Sequence, residues 1–215
     1  MSPSTASPEK SNTTERPRRG RRGQSFIEAM VAITVIITAI SSSLALIQSS
    51  ITATRIGGMQ VVAANLAREG LEVVRALRDT NWLQSKSFQV GLVDAGGIKT
   101  ARPILDVENG GWTLSFEATS LTAANAAVYV TAEGVNRQAD IQPAGSAVSP
   151  YTRALTLQHI CRDGGTGAER LVGDASSCLG SETFAGLAVF STVRWRGVAG
   201  RFQTLTAEER LYDWR

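Results

Sequence analysis

Three groups of residues in this sequence have types and spacings suited to chemistry. The first is Glu28, which follows Gln24 by four positions and sits among Phe26, Ile27, Met30, Val31 and Ile33. A carboxylate in such surroundings is expensive unless it meets a cation or lies at the level of lipid headgroups. An α-amino group released by cleavage after Gly23 would supply that cation. In a helix, residue 28 lies about one turn from residue 24, so the amine of another copy could reach the carboxylate after an axial offset. The second group is Cys161 and Cys178, which flank a Gly- and Asp-rich segment. In an exported domain they are free to pair, and the chain-entropy gain for a loop of that size is about 3 kcal/mol. Two free buried thiols are the other reading. The third group is Arg194, Arg196 and Arg201 with Trp195, a basic and aromatic cluster suited to DNA, although solvated strand ends account for the same residues.

Catalytic chemistry finds little footing. His159 is the single histidine and falls in an alternating strand-like run, with no serine or cysteine motif beside it. It therefore reads as structural or surface-exposed. Asp163 and Asp174 lie near glycines but lack the dense oxygen-ligand alternation of a calcium loop. GGTG at 164–167 has no following Lys-Ser/Thr, so it is not a phosphate loop. Two cysteines and one histidine exclude a four-ligand His/Cys zinc site. No catalytic residue, cofactor or metal is expected, and the chain does not read as an enzyme.

These groups sit on elements of contrasting character. The 215 residues carry a formal net charge of +3, but residues 1–23 hold six Lys/Arg against two Asp/Glu, and the rest of the chain is nearly neutral. The basic character therefore belongs to a short Ser-, Thr- and Pro-containing leader with little to bury, and this leader is expected to be disordered. From Ala29 to Thr54 there are 26 consecutive uncharged residues. As a helix they span about 39 Å, enough for a hydrocarbon core of about 30 Å. Ser41, Ser42 and Ser43 dilute the run, and their hydroxyls can back-bond within a helix or sit against neighbouring helices. Five arginines precede the span and Arg55 follows it, which places the leader in the cytoplasm. A cleaved secretory signal is the alternative, but the run is long for one and no small-x-small site closes it.

The segment Gly23-Gln24-Ser25-Phe26-Ile27-Glu28, preceded by basic residues and followed by an apolar helix, resembles the cleavage and methylation signal of type IV pilins and type II secretion pseudopilins. The resemblance implies that a membrane prepilin peptidase cuts after Gly23 and methylates Gln24. It also implies that Glu28 guides docking into a growing filament. A mature chain beginning with Gln rather than Phe is closer to a minor pilin or pseudopilin than to a major pilin. The expected partners are other pilin or pseudopilin subunits, the peptidase/methyltransferase, the filament assembly platform and the membrane.

After Gly57-Gly58 a second helical pattern begins, with Met59, Val62, Leu66, Val73 and Leu77 as its apolar stripe. Arg68 and Glu72 form an i,i+4 pair, and Asp79-Thr80-Asn81 reads as the end of the helix. The glycine pair is either a simple loop or a softened point, since each glycine lowers helix stability by about 1 kcal/mol. The resemblance extends through NLAREGLEVVRALRDTNW, the stem of some minor pilins. Beyond Trp82 the pattern alternates over 112–117, 153–160, 188–195 and 201–206, and the last two segments should form an antiparallel hairpin. Residues 121–136 are ambiguous between a short helix and a strand.

The expected fold is α+β and pilin-like, a long helix packed on a mainly antiparallel sheet. The expected domains are the leader 1–23, a transmembrane half 24–54, an amphipathic half 55–80 and an extracytoplasmic head 81–215. Three functions compete. The first is a filament subunit at the cytoplasmic membrane and then in an extracellular or periplasmic filament. The second is a monomeric single-pass surface protein whose head binds a ligand, polymer or DNA. An exported enzyme is the third, and no convergent set of residues supports it.

Overall fold

The computed structural model describes residues 22–106, 110–117, 120–172, 178–198 and 200–213. Most of the expected leader lies outside this set, as does Asp174. The chain divides into two compact units, residues 1–50 and 51–215.

In the first unit the chain is helical from Arg22, the start of α1 (Arg22–Leu83). Side chains from Ser25 to Ser50 are exposed throughout. An 18-residue window of α1 has a mean hydropathy of 2.3, so this helix is long and apolar enough to cross a membrane. Its hydroxyls bond to the helix's own carbonyls. Ser41, Ser42 and Ser43 each donate at 2.8 Å to the residue four positions earlier.

The second unit combines the rest of α1 with an eight-stranded antiparallel sheet. The strands are β1 (Thr100–Asp106), β2 (Gly111–Phe116), β3 (Ala127–Val130), β4 (Asn136–Arg137), β5 (Ala147–Asp163), β6 (Glu169–Val172), β7 (Glu182–Arg196) and β8 (Phe202–Tyr212). β5 organises the sheet. One of its edges takes β3, β1 and β6 in succession, and the other takes β7, which in turn pairs with β8. β7 and β8 form the expected hairpin, in register from Gly186↔Tyr212 to Arg196↔Phe202. The ambiguous segment resolves into a single 3-10 turn (Ala124–Ala126) leading directly into β3.

α1 is a single helix that runs unbroken through Gly57 and Gly58, which excludes a loop there. It differs from expectation at its end, continuing to Leu83 because Asn81 does not stop it. The buried Asn81 amide instead donates to the carbonyls of Phe88 and Val90, at 3.3 and 2.7 Å, and ties down the loop that follows. Of the expected stripe, Leu66 and Val73 are buried and Met59 and Leu77 pack against the core, whereas Val62 is 36% exposed. Ala63, Ala67, Leu71 and Val74 complete the buried face. Small residues join that face because helix and sheet lie close. A Cβ on Gly70 would lie 2.6 Å from Ser191 Oγ and 2.8 Å from Leu155 Cδ2, so helix and sheet meet where α1 has no side chain at all. Two apolar clusters fill this layer. One joins Leu71 and Val74 to Leu155, Leu157, Leu187 and Val189, and the other joins Leu66 to Val128, Tyr151, Val193 and Trp195.

Candidate functional site

Gly23 and Gln24 lie within α1, whose main chain is already helical at Arg22. Glu28 is one turn further on, exposed, with Phe26, Ile27 and Met30 each more than half exposed around it. Among the described residues no cation lies within ion-pair distance of Glu28. The segment is thus an apolar helical surface with one unmatched carboxylate. Nothing lies within 4 Å of the Cβ positions of Gly57 and Gly58. Their lack of side chains is therefore not imposed by packing in this chain.

In the second unit the helix is held by polar contacts that hydrophobic periodicity did not reveal. Arg153 on β5 is 1% exposed and lies beneath α1. Its Nη1 donates to the Leu66 carbonyl at 2.9 Å, its Nε donates to Gln138 Oε1 at 2.8 Å, and Glu69 Oε2 lies 3.5 Å from Nη1. Burial pushes the pKa of this guanidinium down, and the Glu69 carboxylate opposes the shift. Gln138 passes the network on by donating to the carbonyls of Ala126 and Arg153. The sequence did carry one signal. Arg153 begins an alternation in which Leu155 and Leu157 face the core, so it occupies a core position.

Further along the helix, Arg75 reaches both Glu209 on β8 and Glu72, at 2.6 Å each. Glu72 therefore pairs with Arg75 three residues on, rather than with Arg68 as expected, because Arg75 is also anchored by the sheet. A second buried arginine, Arg102 on β1, meets Asp140, Glu117 Oε1 at 3.0 Å and the Asn125 carbonyl at 3.2 Å. No sequence feature pointed to it.

Cys161 and Cys178 form a disulfide with their Cα atoms 5.5 Å apart. The loop they close is not featureless, since it contains β6, paired with β5 from His159↔Val172 to Arg162↔Glu169. His159 is half-buried with the ring of Phe184 edge-on at 5.2 Å, and burial pushes its pKa down. Asp163 closes a turn. Its Oδ1 accepts from Gly165 N at 3.0 Å and from Thr166 N at 2.7 Å, and Oδ2 accepts from the Ser181 hydroxyl at 3.1 Å. Hydrogen bonds from Thr166, Ser181 and Gly165 lower its pKa to about 2. The GGTG segment is thus the body of an acid-capped turn. Among the described residues no three His, Cys, Asp or Glu side chains are grouped as metal ligands. Gly23, Gln24 and Glu28 lie in the first unit, whereas the disulfide and the arginine networks belong to the second. No family model, curated protein or solved structure matches the chain.

Proposed function

We propose that this chain is a structural subunit, a minor pilin or pseudopilin, of a type IV pilus or type II secretion-like filament. In this reading a prepilin peptidase removes residues 1–23 and methylates Gln24. The mature chain waits in the cytoplasmic membrane with its head outside. The assembly platform then transfers it into a filament in which other subunits surround its first helical segment. The role is mechanical rather than catalytic.

The observation that carries the reading is Glu28. It is the single carboxylate within residues 25–50, a helical stretch whose apolar side chains are exposed throughout, and none of the described residues offers it a cation. A bilayer satisfies the apolar side chains, and the carboxylate only where it stays at the level of the headgroups. A bundle of identical or related helices satisfies both, because the Gln24 amine of one subunit can meet Glu28 of another as a charge-assisted contact. The disulfide fits an exported head.

The deciding experiment is the intact mass and first residue of the protein recovered from cell-surface filaments. An amino terminus at Gln24 is the expected result, and filament material that begins at Met1 would remove the reading. A monomeric surface protein would keep its leader and would not be recovered with filaments.

A further inference from the structure

The arginines of β5 to β8 fall into two classes. Arg153, Arg162, Arg170 and Arg210 each lie within 4.0 Å of a carboxylate. Arg194, Arg196 and Arg201 have no carboxylate within that distance among the described residues, and all three lie at the turn end of the β7–β8 hairpin. The sequence around them explains why. From Thr183 to Ala207 there is no Asp or Glu, and the facing stretch of β5, residues 147–156, has none either. Positive charge is therefore concentrated at one end of a head whose other arginines are largely neutralised.

The same end carries exposed aromatic surface. Phe202 is 62% exposed, with the Arg194 guanidinium carbon 3.7 Å from its ring centroid. The guanidinium lies over one face of the ring, and Phe202 remains open to solvent. Beside it lies a cleft of about 380 Å³ bordered by Leu121, Pro150, Thr152, Arg194 and Phe202. Thr152 braces this cleft by donating to the Leu121 carbonyl at 2.9 Å. At the turn, Arg196 Nε donates to the Gly200 carbonyl at 3.2 Å, which holds that side chain over the hairpin.

We propose that the β7–β8 hairpin end binds single-stranded nucleic acid, with phosphates on Arg196 and Arg201 and a base on the Arg194–Phe202 pair. Charge selects a polyanion. The exposed aromatic ring favours one with flat rings, because every base offers a π-face to stack on it. Unpaired bases are required, since those of a duplex are already stacked on each other. The inference is independent of the filament reading, because it needs only the folded head.

The test is fluorescence anisotropy of a labelled oligothymidylate of about 20 nucleotides. The full chain is held in neutral detergent micelles and titrated across roughly 50–300 mM salt. Binding should weaken with salt at a log–log slope near −1.4, about 0.7 for each of the two phosphate contacts. The Arg196→Gln/Arg201→Gln double variant should bind more weakly with a slope shallower by about 1.4. Phe202→Ala should lose about tenfold in affinity at an unchanged slope. Arg68→Gln, which removes an exposed charge from α1, should change nothing. Retained helix and sheet circular dichroism and an intact disulfide mass show that each variant is folded. No binding at the lowest salt overturns the proposal. So does full affinity in Phe202→Ala, an equal loss in Arg68→Gln, or equal binding of an alginate polyuronate, which would assign the site to acidic polysaccharide.

Discussion

The Arg153 guanidinium donates to the main-chain carbonyl of Leu66, 87 residues earlier in the chain, at 2.9 Å. This contact fixes α1 to the centre of the sheet through its main chain. Arg153→Ala should therefore do more than lose packing, because it leaves Gln138 Oε1 and the Glu69 carboxylate without their buried donor. Loss of one partner from a buried network of this kind costs about 3–5 kcal/mol. Urea unfolding of the full chain in detergent should show that loss, whereas Arg68→Ala on the exposed face should fall within about 0.5 kcal/mol of wild type.

Gly70 sets a second test, because two principles disagree on its sign. Helix propensity alone predicts a gain of about 1 kcal/mol for Gly70→Ala. The new Cβ, however, would lie 2.6 Å from Ser191 Oγ and 2.8 Å from Leu155 Cδ2, and overpacking of this kind costs about 1–3 kcal/mol. We expect net destabilisation, partly relieved by Ser191→Ala. The Ser191 hydroxyl has no hydrogen-bond partner among the described residues, so its removal loses little. A Gly70→Ala protein more stable than wild type would show that helix and sheet separate freely.

Processing and assembly should come apart by mutation. Gly23→Leu should leave residues 1–23 attached, which terminal sequencing would detect. Glu28→Leu should be cleaved normally, reach the membrane at normal abundance and keep a folded head, yet enter filaments poorly. Substitutions at Gln24 and Glu28 should be non-additive if both act through one contact. Normal incorporation of a cleaved Glu28→Leu protein would remove the docking role.

Reduction of the Cys161–Cys178 bond, or Cys161→Ser, should cost about 3 kcal/mol and raise proteolysis between the two positions more than elsewhere. Limited proteolysis with mass-spectrometric mapping reads both effects. Quantitative alkylation of both thiols in native exported protein would contradict the bond.

Two groups give the head an acid dependence of known sign. Burial lowers the pKa of His159 below its unfolded value, so the folded state resists its protonation. Stability should be fully present near neutrality and fall as the pH drops below about 6.5, and His159→Gln should flatten that step. Hydrogen bonds hold the pKa of Asp163 at about 2 against an ordinary 3.8. Its contribution is present above about pH 4 and is lost between there and pH 2, and Asp163→Asn should reduce that second step, to which Glu133, Glu169 and Glu182, also held below their ordinary range by hydrogen bonds, contribute. Thermal melts across the two windows separate the groups.

Much of this architecture was legible because apolar side chains recur at a fixed period. The uncharged run 29–54 needs only length and composition, and the alternations at 153–160, 188–195 and 201–206 mark β5, β7 and β8. What the periodicity missed follows from what it rewards. It placed Val62 on the buried stripe because Val is large and apolar, whereas the true contact runs through Ala63, Ala67 and Gly70. Close approach selects the absence of a side chain, and absence has no hydrophobic signature. β1 was not marked by any alternation, and its Pro103 lacks the N–H of a central strand. The structure accommodates it, since β1 pairs with β5 only at Thr100 and Ala101, before the proline is reached. Arg102 was invisible because its carboxylates, Glu117 and Asp140, come from later loops. The proposed processing segment lies at the other extreme, since it rests on the order of a few adjacent residues.

The dominance of β5 has a consequence for the order of events during synthesis. β1–β2 and β3–β4 are local hairpins, but each reaches the rest of the sheet only through β5, and the Leu66 carbonyl waits for Arg153. As the chain leaves the ribosome, α1 and four strands are complete before the strand that unites them exists. Such distant pairings carry a high contact order and form slowly. The buried face of α1, with Leu66, Leu71 and Val74, stays uncovered through that interval. A chain truncated after β4 would thus retain two hairpins and a sticky helix, exposed to aggregation or proteolysis. Quality control of this protein is therefore decided late, by whether β5 and the β7–β8 hairpin arrive intact.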